Sequence, residues 1–392
     1  MNVRTAKKPS QRVDTSYVMR FNMQSYGEDN LYPQNIRLIT QQSGTAELCL
    51  SRYAKFIEGY GFNDSNLAAT ILNHRETADD VLHKVAADIA RYGGFALHVN
   101  YNVRLRVSSI SFLPFEQCRL EEEDEDGNVN HILVHPDWRG KKTKSGKRIY
   151  VDEKNIVKFP LFDPSPDVVA HQIIEAGGID AYKGQVMWVS MSGGMTYPIP
   201  IYDSVVTDIS TDEGLGNIKY RNVRNNFLVN CMLVTRKGQT RYNDDGEAYT
   251  ESMITPEDLV TFQGDEKSGK IMLVELENNE DTPSVIPFPT KSYDKDFSST
   301  DTSVIERIYA QFHQELFYSI RMGKLGFSGQ VMRDAYEYYS GEVTIEQRVI
   351  ERAFGMLMRN WWDESKVGLP ILIQPLKYIT TENNTINSIN NE

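Results

Sequence analysis

The sequence predicts an α+β protein, with long amphipathic helices, separate runs of short strands, and a small α/β segment carried between two of the helices. Three observations predict it. Val304, Ile305, Ile308, Tyr309, Phe312, Leu316, Phe317 and Ile320 recur every three to four residues and form one apolar helix face. Phe95–Tyr101 alternates as a strand does, and further strand-like runs follow it. With 392 residues, 40% of them hydrophobic and 24% charged, the chain is long enough to bury a large core and to divide into more than one region.

In chain order, Met1 to about Gly27 is polar and expected to be extended or disordered until something covers it. Asn30-Leu31-Tyr32-Pro33 marks a turn before a helix over Asn35–Glu58, with Ile36, Ile39, Leu48, Tyr53, Phe56 and Ile57 among its apolar positions and Gly59 as its end. A second helix covers Ala78–Tyr92, buries Val81, Leu82, Val85 and Ile89, and stops at Gly93-Gly94. Strands are predicted at Phe95–Tyr101, Ser109–Phe115 and Asn130–His135. The acidic run Glu121–Asp126, closed by Gly127-Asn128, reads as a solvated hairpin tip, since it lacks the alternating oxygen ligands and placed glycine of a calcium loop. Gly140–Arg148 is a basic loop carrying Lys141, Lys142, Lys144, Lys147 and Arg148. Such loops are commonly just solvated, and this one also suits a phosphate or an acidic neighbouring subunit. Asn155–Phe162 reads as a strand, and Pro160, Pro164 and Pro166 break the chain around its end.

Pro200–Phe227 has helical spacing in Ile201, Tyr202, Val205, Val206 and Ile209 and again in Tyr220, Val223 and Phe227. Asp203, Asp208, Asp212 and Glu213 fill its first half and Lys219, Arg221 and Arg224 its second, an order that complements the helix macrodipole. Gly214 and Gly216 predict a kink. About 28 residues span about 40 Å. Leu228–Pro289 changes character. Strands are expected at Leu228–Thr235 and Lys270–Leu276, and a short helix at Pro256–Phe262 after a Thr255 cap. Ser303 with Glu306 is a capping box that starts a second long helix, running to Arg321. Met322-Gly323-Lys324-Leu325-Gly326-Phe327-Ser328-Gly329 interrupts it with three glycines. Helix resumes at about Val331 and runs to Trp362, with a break at Ser340-Gly341 and a restart at a second capping box, Thr344 with Gln347. Two long helices joined by a glycine loop suggest a moving part on a rigid support. Beyond Thr380 the chain is asparagine-rich and expected to be disordered. No internal repeat is visible.

Several classes are disfavoured. No run reaches the roughly 18 apolar residues of a membrane span, and the basic start MNVRTAKKPSQRV has no apolar core, so it does not read as a secretory signal. Cys49, Cys118 and Cys231 lie far apart in apolar surroundings and read as buried free thiols in a reducing compartment. The net charge of −12 argues against a surface that grips nucleic acid everywhere. It suits a passage in which a polyanion stays mobile, because each neutralised phosphate adds attraction and slows release. No strong catalytic motif is present. Gly323-x-x-Gly326-x-x-Gly329 lacks the lysine and threonine of a phosphate loop and does not follow a strand. Ser190-Met191-Ser192-Gly193 resembles a nucleophile elbow only loosely. His131, His135 and Asp137 are a candidate metal set, although satisfied or exposed histidines are commoner. His313 reads as a helix-packing residue or a pH-sensitive contact. The 21 tyrosines fall mostly at core-facing positions rather than forming a base-stacking platform. No catalytic residue, cofactor or metal is assigned.

The order of parts resembles portal proteins of tailed bacteriophages over nearly the whole chain. The carrying features are Asp29-Asn30-Leu31-Tyr32-Pro33, then Phe56-Ile57-Glu58-Gly59-Tyr60-Gly61-Phe62, then Tyr92-Gly93-Gly94-Phe95-Ala96-Leu97, then Phe112-Leu113-Pro114-Phe115 leading into a hairpin. The long helix, an insert with Val260-Thr261-Phe262-Gln263-Gly264, the second helix and the glycine loop follow. The resemblance implies a portal-type, ring-forming fold with the wing at 1–197, the first stem helix at 198–227 and the clip at 228–290. It continues with the second stem helix at 291–321, a glycine tunnel loop at 322–333, a long kinked wing helix at 334–362 and a C-terminal strand and disordered tail at 363–392. The chain departs from the family at this end, where too few residues remain for the helical crown many portals carry, so a crown is expected to be reduced or absent.

The resemblance further implies a homo-oligomeric ring, usually dodecameric, at one capsid vertex. The ring would pass double-stranded DNA in packaging and ejection and dock the terminase large subunit at the clip. Its other partners would be capsid and scaffold proteins and, later, a head-tail adaptor. Tunnel candidates are Gly323, Lys324, Leu325, Gly326, Phe327, Ser328 and Gly329, with Lys324 either brushing phosphates or simply solvated. Clip interface candidates are Arg236, Lys237, Arg241, Asp244 and Asp245. The expected place is the virion, with assembly in the host bacterial cytoplasm and no membrane. An enzyme acting on nucleic acid or a phosphate ester, with its site near Ser190–Gly194 or His131–Asp137, is the alternative, and a head-tail adaptor is a third reading.

Overall fold

A computed structural model describes residues 17–18, 21–142, 148–149, 151–225, 231–234, 240–243, 245–250, 284–287, 293–326, 328–363 and 368–378. The chain is mixed helix and sheet and divides into two units, one of Met1–Ile209 with Glu306–Glu392 and one of Ser210–Ile305. No helix among the described residues is long and apolar enough to cross a membrane.

The first unit begins with a short pair, β1 (Tyr17–Val18) and β2 (Met23–Gln24). The single helix expected at Asn35–Glu58 is two helices, α1 (Tyr32–Gln42) and α2 (Gly44–Glu58). Pro33 sits in the first turn of α1, where its missing N–H costs nothing. Ser43 breaks the run because its hydroxyl caps α2 by accepting from the Ala46 N–H. After α3 (Ser65–Ala68), α4 (Ala78–Tyr92) has the expected bounds, set by a Thr77–Asp80 capping box and by Gly93 in the left-handed region. Strands β3 (Gly94–Tyr101), β4 (Val107–Leu113), β5 (Cys118–Leu120) and β6 (His131–Val134) follow, then a pair, β7 (Lys141–Lys142) and β8 (Arg148–Ile149), inside the predicted basic loop. Lys144 and Lys147 lie outside the described residues. The acidic run turns the chain between β5 and β6, but its first residue is not solvated, since Glu121 is buried. Strand β9 (Val157–Pro160) is followed by a helix that sequence reading missed, α5 (Pro166–Glu175). Pro166, read as a breaker, occupies the helix's first turn instead. The next strand, β10 (Gln185–Ser190), was also missed.

These strands form one succession. β4 pairs with β3 and β3 with β10, while β5 pairs with β6 and β6 with β9. A Leu161–Val186 bridge joins the β9 edge to β10. At the outer edges, Met23 of β2 bridges Glu121 beyond β5, and Val107 of β4 bridges Trp361. Helix α4 buries Val81, Leu82, Val85 and Ile89, the four residues predicted. A second cluster draws on both halves of the succession, with Tyr26 stacked on Tyr197 at 4.0 Å and Phe115 on Trp188 at 4.4 Å. Cys49 and Cys118 are buried and neither is in a disulfide. The Cys231 side chain and the tail beyond Thr380 lie outside the described residues.

Helix α6 (Val206–Asn225) starts in the first unit, enters the second at Ser210 and continues through Gly214 and Gly216. The second unit holds a β11 (Cys231–Val234) to β14 (Ser284–Pro287) pair and, between them in sequence, a hairpin of β12 (Thr240–Tyr242) and β13 (Ala248–Thr250). The expected helix Pro256–Phe262 and strand Lys270–Leu276 lie outside the described residues. Helix α7 (Tyr293–Gln311) begins in the second unit, ten residues before Ser303. Ser303 is therefore mid-helix and caps nothing. Within this unit the Lys219 ammonium lies 2.8 Å from the Asp301 carboxylate.

The chain returns to the first unit through α8 (Glu315–Arg321), α9 (Gly329–Glu342) and α10 (Thr344–Met358). The second predicted capping box also fails. Gly341 lies inside α9, Thr344 donates its hydroxyl to Gly341 O at 2.7 Å, and Gln347 reaches across to Phe56 O at 3.0 Å. The long helix breaks at Val343 all the same.

The C-terminal segment pairs with the turn after α2, as a bridge rather than the expected strand. Tyr60 N donates to Gln374 O at 2.8 Å, Gln374 N to Gly61 O at 2.9 Å and Asn63 N to Leu372 O at 2.9 Å. Gly59 makes this approach possible. It lies at φ 63°, ψ −137°, and a Cβ there would sit 2.2 Å from Gln374 O. Gly59→Ala is therefore expected to lose about 2 kcal/mol from backbone strain and a displaced segment. The check is urea unfolding together with faster proteolysis after residue 368, and an unchanged midpoint would refute it.

Candidate functional site

The predicted glycine loop sits at the tip of α8. That helix is bounded at both ends by the same device. At its root, His313 N donates to Ala310 O and Gln314 N to Tyr309 O, both at 2.9 Å, with His313 at φ 55°. At its tip, Gly323 N donates to Ile320 O at 3.1 Å and Lys324 N to Ser319 O at 2.9 Å, with Gly323 at φ 69°. Each is a Schellman closure, in which one left-handed residue satisfies the last carbonyls of a helix. Gly323 fills that role without strain. His313 fills it with a side chain, and this is why the break in the expected Ser303–Arg321 helix was not legible. His313 is thus neither a helix-packing residue nor inside a helix, and its Nδ1 lies 2.8 Å from Glu342 Oε2.

A buried bracket holds the root. Gln314, 0% exposed, donates to Cys49 O at 2.9 Å and to the Tyr339 hydroxyl at 2.8 Å, and its Oε1 accepts from Arg52 at 2.9 Å. Tyr339 donates its own hydroxyl proton to Phe312 O at 2.9 Å. Arg321 then donates to the Tyr309 hydroxyl at 3.0 Å, twelve residues back. Twelve residues of straight helix would span about 18 Å, so α8 turns back sharply on the end of α7.

At the tip, Met322, Gly323, Lys324, Leu325, Gly326 and Ser328 are all exposed. Phe327 lies outside the described residues. Ser328 caps α9 by accepting from Val331 N at 3.3 Å, so Gly329 is already helical and the irregular stretch is shorter than 322–333. The Lys324 ammonium lies 3.7 Å from Glu306 Oε1 and 5.4 Å from the Tyr318 ring centre. Both members of the ion pair are more than half exposed, at 60% and 57%, which limits the pair to about 1 kcal/mol or less. The loop thus offers one cation, held weakly by a neighbouring carboxylate and free to exchange partners.

Two of the five clip candidates lie among the described residues. Arg236, Lys237 and Asp244 lie outside the described residues, Arg241 falls on β12, and Asp245 is exposed in the turn before β13. The alternative sites do not converge. His131 lies 2.6 Å from Glu121, which also pairs with Lys158, whereas His135 accepts from the Asp137 N–H. Burial alone would raise the Glu121 pKa, but hydrogen bonds from Lys158 and His131 outweigh it and hold the carboxylate below its usual range. No trio of His, Cys, Asp or Glu among the described residues is placed to hold a metal ion. Ser190 Oγ is buried and Ser192 Oγ accepts from Ile199 N, and no base among the described residues hydrogen-bonds either hydroxyl.

Among solved structures the chain is similar to a phage portal protein and to chains of a gene transfer agent particle. One is an HK97 family phage portal protein from Corynebacterium diphtheriae, with TM-score 0.31 and 10% identity, over 74% of this chain and 85% of that one. Another is a chain of the neck of a native gene transfer agent particle computed with C12 symmetry, with TM-score 0.47 and 11% identity, over 96% and 91%. A third is a chain of the virion of the native gene transfer agent particle, with TM-score 0.45 and 11% identity, over 91% and 87%. No family model and no curated protein matches the sequence.

Sequence reading missed Glu306 as a partner of Lys324, having placed it in a helix cap. It also missed the Gln314 bracket. The available signal was the polar set Gln311, His313 and Gln314, since uncharged polar residues inside an apolar helical run need partners of their own.

Proposed function

We propose that this chain is a portal subunit. Copies form a ring, usually of twelve, at one capsid vertex, and double-stranded DNA passes through it in packaging and ejection. The regions keep the roles implied by the resemblance, with the wing at 1–197, stem helices at 198–227 and 291–321, the clip at 228–290, the tunnel loop at 322–333 and the long wing helix at 334–362. In this reading the chain carries no catalytic step of its own. Its place is the virion, and it assembles in the host cytoplasm. The clip docks the terminase large subunit and later the head-tail adaptor, while capsid and scaffold proteins surround the wing.

The observation that carries the reading is the α8 arm. A buried root and an exposed glycine-flanked tip with a single loosely held lysine suit repeated brief contact with a moving polyanion, and the net charge of −12 opposes tight retention. Purified protein is expected to show rings with a central hole in negative stain. Monomers alone under all salt conditions would sink the reading. Lys324→Ala is expected to leave the rings intact and reduce DNA retention, making the slope of log affinity against log salt shallower by about 0.9 for each phosphate no longer neutralised. Unchanged retention would remove the loop from the mechanism.

A further inference from the structure

The first unit carries two contrasting surfaces, attached at different strands of the succession, β4 and β5. At one flank Trp361, just after α10, bridges β4. At the other, Glu121 bridges β2 and leads into the exposed turn Glu123–Asp126.

The α10 flank carries Ile345, Arg348, Arg352, Met356 and Arg359, all exposed and at helical spacing on one side, with Trp362 54% exposed beyond them. None of the three arginines has an acidic partner among the described residues. In a chain of net charge −12 that stripe is out of keeping with the rest of the surface. Arginine, methionine and tryptophan without lysine or glutamate is the composition of a protein interface core, and the apolar members would find nothing to touch on a phosphate backbone. Beyond β5, Asp124 organises the acidic turn, accepting from Asn128 N at 2.8 Å, Asp126 N at 3.0 Å and Asn130 Nδ2 at 3.0 Å. Glu123, Glu125 and Asp126 are left exposed, with no basic partner among the described residues.

A closed ring repeats one heterologous contact, so each copy must present two different, complementary patches on opposite sides. We infer that the acidic turn Glu123–Asp126 of one copy docks on the Arg348–Arg352–Arg359 stripe of the next, with Ile345, Met356 and Trp362 excluding water around the ion pairs. The inference rests on the ring proposed above and names the surfaces that close it.

Charge reversal tests it on the full chain by mass photometry. R348E/R352E and E123K/E125K are each expected to assemble at least about tenfold more weakly than wild type. The quadruple variant, or an equal mixture of the two double variants, is expected to regain rings. All four positions are exposed, so thermal midpoints should stay close to wild type. Should R348E/R352E misfold, E123K/E125K on the turn still decides the matter. Wild-type rings with either double variant assembling equally well would overturn this contact and leave the ring reading standing. The same holds if rings are unchanged but duplex DNA retention is lost, which would put a polyanion on the stripe. Wild-type monomers would overturn both.

Discussion

Replacing Arg119 by leucine is expected to destabilise the first unit by about 4 kcal/mol. Arg119 is 0% exposed on β5. Its Nε donates to Asn30 Oδ1 at 2.6 Å, its Nη1 to Cys118 O at 2.7 Å and Glu116 O at 3.0 Å, and its Nη2 to Asn30 O at 2.6 Å and Gln34 Oε1 at 3.3 Å. The guanidinium lies 5.7 Å from the Tyr26 ring centre and 5.1 Å from that of Trp138. No carboxylate among the described residues is paired with it, so burial lowers its pKa and the positive charge is held by carbonyl dipoles and ring faces. Leucine would relieve the desolvated charge but leave several buried acceptors bare, at about 1–3 kcal/mol each. The second effect is larger because the acceptors belong to the Asn30 turn and the β5 backbone and cannot turn to water. Each kcal/mol should lower the thermal midpoint by about 2–4 °C. A loss below about 1 kcal/mol in urea titration would show that the acceptors find other donors.

Gln314→Leu is the second large effect, at about 3 kcal/mol. The substitution keeps the volume and removes three hydrogen bonds at one buried point, leaving Cys49 O, the Tyr339 hydroxyl and Arg52 short of partners. Unlike Arg119→Leu, it acts on the root of the α8 arm. Amides from Ser319 to Leu325 are therefore expected to lose hydrogen-exchange protection well beyond what global destabilisation explains. A variant with a lowered midpoint and normal exchange in that segment would show that Gln314 supports the core without positioning the loop.

Much of the architecture was legible wherever local signals and tertiary packing agree. The Ala78–Tyr92 helix has an apolar face, an acidic first turn and a Gly-Gly stop, and packing adds nothing that contradicts them. Gly59 and Gly323 were legible as ends because only glycine sits easily at those backbone angles. The failures come from residues with two possible employments. Ser303–Glu306 and Thr344–Gln347 have capping-box spacing, but α7 extends past the first and Gln347 is claimed by a carbonyl across the core. Pro166 opens a helix rather than ending a strand, which the residue itself does not announce. The His313 closure has no glycine to mark it. Lys324 was recognisable as the lone cation of a glycine loop, but its carboxylate partner comes from a helix turn that only the sharp bend brings near.

The seal between Gly59–Asn63 and Leu372–Gln374 also orders events in time. Tyr60 and Lys377, which touch through the tyrosine hydroxyl, are 317 residues apart. At about 5–20 residues per second, synthesis separates them by tens of seconds. Throughout that interval a nascent chain has made the helices of its amino-terminal part but lacks the segment that locks them. Any surface that depends on the finished first unit comes into being only once translation has passed residue 374, so a half-made copy lacks it.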